Sequence, residues 1–166
     1  MRTWYLILAA ALLLPLHACG RRGAAWEEPF VRSAVNTLQS KTVTRLEILY
    51  FSRDTETFVG ITPEKLEAIY QHRLGVEKFG ESEWKGDLIR ALEDPDMRRT
   101  TGPSTQPDCR WACIFYDAKH VRVLTMYFDG HGRKGLINGT PVAFTGRFGK
   151  LKLVALLENR CLPSWE

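Results

Sequence analysis

Three histidines in the body of the chain, His72, His120 and His131, are the side chains best suited to proton transfer near neutral pH. One of them has an acid beside it, in Asp129-Gly130-His131. A catalytic reading makes His131 a base oriented by Asp129. A structural reading makes Asp129-Gly130-His131-Gly132 a solvated turn between two apolar runs, with glycine supplying positive φ, and the flanking pattern favours it. His120 and His131 fall at opposite ends of one predicted strand, about 30 Å apart at roughly 3.3 Å per residue, which is too far for one site. Glu64, Glu67, Glu77, Glu81 and Glu83 lie in a helix-rich region where solvated helix faces account for them. No two of them stand out as the acid and base of a glycosidase. Neither a Gly-x-Ser-x-Gly elbow nor a His-Glu-x-x-His helix occurs. Arg98-Arg99, with Arg90 and Arg53, forms a candidate anion contact, although scattered surface charge explains these residues more simply.

Three cysteines also lie in the body, Cys109, Cys113 and Cys161. A Cys113–His dyad requires a partly exposed thiol in an electropositive setting. Cys113 instead sits in an apolar strand-like run, as a buried structural thiol would. Cys109 and Cys113 are four residues apart, or about 13 Å in an extended strand, beyond the roughly 7 Å limit for a disulfide. Equal parity puts both on one side of that strand. Cys161 is left to pair with one of them. Cys109–Cys161 is the favoured disulfide and Cys113–Cys161 the alternative, and closing such a loop contributes on the order of 3–4 kcal/mol. Cys-x3-Cys with one distant Cys lacks zinc-site spacing and has no histidine at a matching distance, so no metal site is expected.

The elements that would carry these residues read as follows. Residues 29–40 have an apolar helical stripe through Phe30, Ala34 and Leu38. Residues 43–51 alternate as a strand. Thr62-Pro63-Glu64 starts a helix with a capping hydroxyl, Pro at the first position and an early acid, and Gly75 can stop it. A short strand is expected over 76–79. Ser82 opens another helix, which Asp94-Pro95 closes. Residues 94–108 are the longest irregular stretch. The runs 110–117, 121–129, 133–138 and 140–144 form an antiparallel meander of about four strands, with Asn138-Gly139 a type I′ hairpin signal. Both parities are apolar, so both sheet faces should be at least partly covered. A helix over 148–159 closes the chain, and Trp165 folds back or stands exposed. Tyr116 and Tyr127, if they share an exposed sheet face, would make a protein-binding patch; the plainer reading places them in the core. The fold class is α+β: packed helices on an antiparallel meander, in a single small domain.

The N-terminus gives the most specific signal. An apolar run of 13 residues, Trp4 to Leu16, follows Arg2 and contains Pro15. Spanning a membrane takes roughly 20 apolar residues, whereas this run has the length of a signal h-region. It ends in Leu16-His17-Ala18-Cys19, which resembles the lipobox of bacterial lipoproteins. The resemblance covers only the first 20 or so residues. It implies that residues 1–18 are removed as a signal peptide and that Cys19 takes diacylglycerol and an acyl chain. Residues 19–28 would then be a tether and 29–166 the globular domain. Ordinary cleavage after Ala25 and an uncleaved anchor are the rival readings. In lipoprotein families the residue after the lipidated Cys influences sorting, and Gly20 leans towards the outer membrane. Arg21 and Arg22 could touch anionic headgroups, or simply solvate the tether.

Removing residues 1–18 leaves 148 residues, one ordinary domain, and lowers the net charge from +4 to +3. No basic run is dense enough for a nucleic-acid footprint, so no nucleic-acid partner is expected. No cofactor is expected beyond the lipid on Cys19. The leading expectation is a lipid-anchored protein of the bacterial cell envelope facing the periplasm, a non-enzymatic binding or accessory module of inhibitor, immunity or assembly type. Enzymatic activity is left open, leaning towards none. An exported hydrolase using His131 or His72 and a self-associating structural protein are the alternatives. The sequence does not set the oligomeric state.

Overall fold

The computed structural model describes residues 28–55, 57, 59–101, 107–146 and 149–165. The signal segment, Cys19 and all of the tether but residue 28 lie outside the described residues. The described elements run, in order, α1 (Pro29–Gln39), β1 (Val43–Tyr50), α2 (Pro63–Ile69), β2 (His72–Glu77), α3 (Glu83–Leu92), β3 (Met97–Arg99), β4 (Cys109–Asp117), β5 (Arg122–Asp129), β6 (Lys134–Ile137), β7 (Thr140–Phe144) and α4 (Lys152–Cys161). The strands form one seven-stranded sheet in the order β2-β1-β4-β5-β6-β7-β3, with every pair antiparallel.

The α+β class holds, but seven strands replace the expected four or so. Residues 72–77 alternate half-buried and exposed as an edge strand, where the helix from Thr62 was expected to continue to Gly75. Tyr50 pairs with His72 and Arg45 with Glu77, so β1 recruits this segment as a neighbour. β3 is only three residues long and exists by pairing with β7, Met97 opposite Phe144. The meander β4–β7 forms as expected. Asn138 (φ 46°) and Gly139 (φ 74°) both take the positive φ that a type I′ turn demands.

One face of the sheet carries the main core. Trp111, Cys113 and Phe115 of β4 pack there with Leu46 and Ile48 of β1 and Met126 and Phe128 of β5. Above them lie Val31, Ala34 and Leu38 of α1, Leu88 and Leu92 of α3, and Val154 and Leu157 of α4. Phe79, Phe115 and Phe128 are fully buried, each worth about 1.5–3 kcal/mol of transfer free energy. The other face carries a smaller cluster, in which Leu66 of α2 and Ile61 cover Leu49, Ala112 and Ile114.

The local cues mostly act as read. Thr62 accepts from Lys65 N at 3.3 Å and Pro63 opens α2. Glu64 is held below the usual carboxylate range, first by a backbone N–H and then by Thr62. The start of α4 has no cap of its own. Buried Asp94, from the exit of α3, accepts from Lys152 N at 2.9 Å and from Asp96 N at 3.0 Å, which ties the two helices together. Among the described residues, no helix is long and apolar enough to cross a membrane.

Candidate functional site

Two clefts lined by charged residues lie at opposite ends of β4. The first, of about 290 Å³, opens where β4 begins and β5 ends, and it contains Asp129, Gly130 and His131. Arg110 dominates it although it is almost fully buried. A guanidinium has five N–H donors. Nε donates to Asp108 Oδ2 at 3.0 Å, and Nη2 to the same oxygen at 2.9 Å and to Thr57 Oγ1 at 3.3 Å. Nη1 donates to Ser52 O at 2.8 Å and Thr55 O at 3.2 Å. The other oxygen of Asp108 accepts from Ile61 N at 2.7 Å. Arg110 and Asp108 thus clamp the segment after β1 over the sheet end.

Asp129 is committed in the same way. Its carboxylate accepts from Arg133 N at 2.8 Å and Lys134 N at 3.1 Å, closing the β5–β6 turn. Gly132 occupies that turn at φ 65°, and a Cβ there would meet Lys150 at 2.8 Å. His131 is exposed and shares no hydrogen bond with Asp129. His72 is held elsewhere, stacked against Tyr50 at 6.0 Å and Trp165 at 5.1 Å, which also stack on each other at 5.9 Å. Trp165 therefore folds back. β2 and β5 stand three strand spacings apart, about 14 Å, and His120 lies at the far end of β4. The three histidines do not converge.

The second cleft, of about 740 Å³, lies at that far end, between the α1–β1 junction, the β2–α3 junction and the β4–β5 turn. Part of its charge is committed. Arg45 Nε pairs with Glu77 at 3.3 Å, and Lys85 Nζ donates to Gln39 O at 3.3 Å. Asp117 accepts from Lys119 N at 2.8 Å and Val121 N at 2.9 Å. Lys41, Lys78 and His120 have no side-chain partner among the described residues, and all three line the cleft. Lys78 (φ 51°) and His120 (φ 60°) also hold left-handed backbone. Sequence reading singles out His120, Glu77 and Glu81 but not Lys41 and Lys78, which with His120 come from three separate segments and meet only at this cleft.

The remaining candidates resolve as structural groups. Tyr116 and Tyr127 share the α2 face of the sheet, but their hydroxyls are engaged: Tyr116 donates to Glu47 at 3.0 Å and Tyr127 to Glu67. Burial, reinforced by those acids, pushes both phenols above their ordinary range. Glu67 also accepts from Arg122 Nη1 at 3.0 Å. Arg90 pairs with Asp87 on α3, Arg98 and Arg99 lie on edge strand β3, and Arg53 donates to Gly130 O at 3.2 Å, so these four arginines do not assemble into one contact site.

All three body cysteines are buried, and none of them forms a disulfide. Their expected common side is overturned: the β4–β5 register shifts between Cys109 and Trp111, which turns Cys109 into the α2-face cluster, whereas Cys113 and Cys161 both belong to the main core. The favoured Cys109–Cys161 pairing would have to pass through the sheet, and the alternative Cys113–Cys161 would not. Burial pushes Cys109 up to about 12 and Cys161 up to about 11, and raises Cys113 as well. Neutral thiols at pH 7 are poor nucleophiles. Among the described residues, no group of three or more His, Cys, Asp or Glu side chains is arranged to hold a metal. Comparison with protein-family models, curated proteins and solved structures finds no match.

Proposed function

We propose that the chain is a bacterial envelope lipoprotein, lipidated at Cys19, whose body 29–166 is a non-enzymatic module that binds an envelope partner on the periplasmic side, with the outer membrane slightly favoured. The anchor rests on the short apolar run and Leu16-His17-Ala18-Cys19. One observation carries the non-enzymatic reading. In the cleft that contains the most base-like tripeptide, both carboxylates are already occupied by backbone N–H groups or Arg110, and neither bonds His131. A general base needs its orienting acid within hydrogen-bond reach.

The test has two readouts. Mass spectrometry of the full chain expressed in a bacterial host should find a diacylglyceryl Cys19 at the mature N-terminus, and an unmodified terminus at Trp26 would overturn the anchor. Crosslinking of the tethered protein in intact envelopes should enrich one partner. A hydrolytic activity that His131→Ala abolishes would replace the binding reading with the enzymatic one.

A further inference from the structure

We infer that the cleft of about 740 Å³ at the far end of β4 is a binding site for a small organic phosphoester, held by Lys41, Lys78 and His120. The inference does not depend on lipidation of Cys19.

Charge accounting is the first support. The cleft holds cations and acids in mixture, but most of them are committed. Glu77 is neutralised by Arg45, and Asp117 is turned onto two backbone N–H groups. Lys41, Lys78 and His120 are left facing the cavity without a side-chain partner among the described residues, against one similarly uncommitted acid, Glu81. Lys85, with one donor spent on Gln39 O, has further N–H groups to offer.

Backbone conformation is the second. Three non-glycine residues among those described have positive φ, and two of them, Lys78 and His120, stand on different walls of this cleft. Glycine takes that conformation without steric cost, whereas a lysine there is unusual. Local geometry would favour glycine at position 78, and its lysine places an ammonium at the cavity. Strain of this kind concentrates where a ligand is held.

The donor set selects the ligand. Ammonium groups are compact point charges that serve tetrahedral phosphates well, while the planar fork that matches a carboxylate belongs here to Arg45, already paired. The volume lies within the range of small-molecule sites and far exceeds one phosphate. Val43, Thr44, Gly80 and Ala118 line the rest, and a Cβ on Gly80 would meet only Val43 O at 3.8 Å, so an uncharged organic part has room. A free phosphoester and the headgroup of an anionic phospholipid share this chemistry.

The full-length protein in neutral detergent is titrated calorimetrically with glycerol 3-phosphate and, separately, with monomeric dihexanoyl phosphatidylglycerol. Lys78→Gly should weaken binding about tenfold, the loss of one charge-assisted hydrogen bond, with no fall in Tm because glycine suits the site. Lys152→Gln, an equal charge change on the exposed side of α4, should leave affinity unchanged. Saturable, Lys78-dependent binding of glycerol 3-phosphate identifies a free phosphoester. The same dependence seen only with the lipid identifies a headgroup. No binding of either probe at millimolar concentration, or binding that Lys152→Gln weakens as much as Lys78→Gly, overturns the inference. The N-terminal mass measurement answers separately for the anchor.

Discussion

The two ends of β4 are built from the same kinds of residue and use them in opposite ways. At the start of the strand, Arg110, Asp108 and Asp129 spend their hydrogen-bonding capacity on loops and turns, and neither acid bonds the exposed His131. At its end, Glu77 and Asp117 are engaged, whereas Lys41, Lys78 and His120 outnumber the one acid there without a partner among the described residues, Glu81. Buried polar groups that are fully paired fix a structure. Charged groups that face a cavity unpaired are available to a ligand. Counting uncommitted donors therefore separates a clamp from a site, where a count of charged residues does not.

The largest expected effect comes from breaking the clamp. Arg110→Ala removes five hydrogen bonds and leaves Asp108 and two carbonyls without their partner. Loss of one member of a buried ion pair costs roughly 3–5 kcal/mol. Asp108 is 45 % exposed and can rehydrate, so about 3 kcal/mol is expected by urea denaturation. Lys78→Ala, at the other end, should cost less than about 0.5 kcal/mol, as for a surface change without a buried partner. Equal losses would erase the contrast. Asp129→Ala comes next, with about 1–2 kcal/mol for the two backbone donors it orphans in the β5–β6 turn.

The contrast also explains what could be read in the sequence. Asp129-Gly130-His131-Gly132 and Asn138-Gly139 are turns because their chemistry is local, and neighbouring residues suffice to show it. The strand expected over 76–79 begins earlier, at His72, because His72 to Glu77 carries a strand's alternation but follows a well-capped helix start, and only pairing with β1 decides between them. β3 has too few residues to show any period. Residue parity alone puts Cys109 on the wrong side, because a bulge, invisible in residue spacing, reverses parity between Cys109 and Trp111. Lys41, Lys78 and His120 are far apart in the chain, and no spacing announces that they meet.

Alkaline pH probes the clamp end through Cys109. Burial, helped by the charge of Asp108, raises its thiol from near 9 to about 12. Between those values the unfolded chain releases the proton and the folded chain keeps it. The unfolded state then binds fewer protons, and stability falls as pH rises, by about 1 kcal/mol from this thiol at pH 10. Cys113, Cys161 and the two raised tyrosines act in the same direction. The fall in Tm between pH 8 and 10 should be smaller in Cys109→Ala than in the parent, whatever the variant loses in packing at neutral pH. An identical slope would mean that the thiol is not closed off beneath α2.

The smallest effects test the open end by its backbone. Glycine substitution at a left-handed position removes a steric penalty on the order of 1–2 kcal/mol but loosens the unfolded chain by about 0.5–1 kcal/mol. The net gain should follow how poorly each side chain tolerates that conformation. Lys78→Gly should gain most, at about 0.5–1 kcal/mol, and His120→Gly less, because histidine is enriched there. Asn138→Gly should gain nothing. Asparagine suits the first turn position, and its Oδ1 also accepts from Thr125 N at 2.9 Å, a bond that glycine lacks. Thermal denaturation of the three variants should thus rank them Lys78, His120, Asn138. Stabilisation at the two cleft positions, joined to loss of phosphoester affinity at Lys78, is the signature of strain kept for binding. A stable Lys78→Gly protein with undiminished affinity would make the left-handed lysine a feature of the turn alone and leave the two ends of β4 alike.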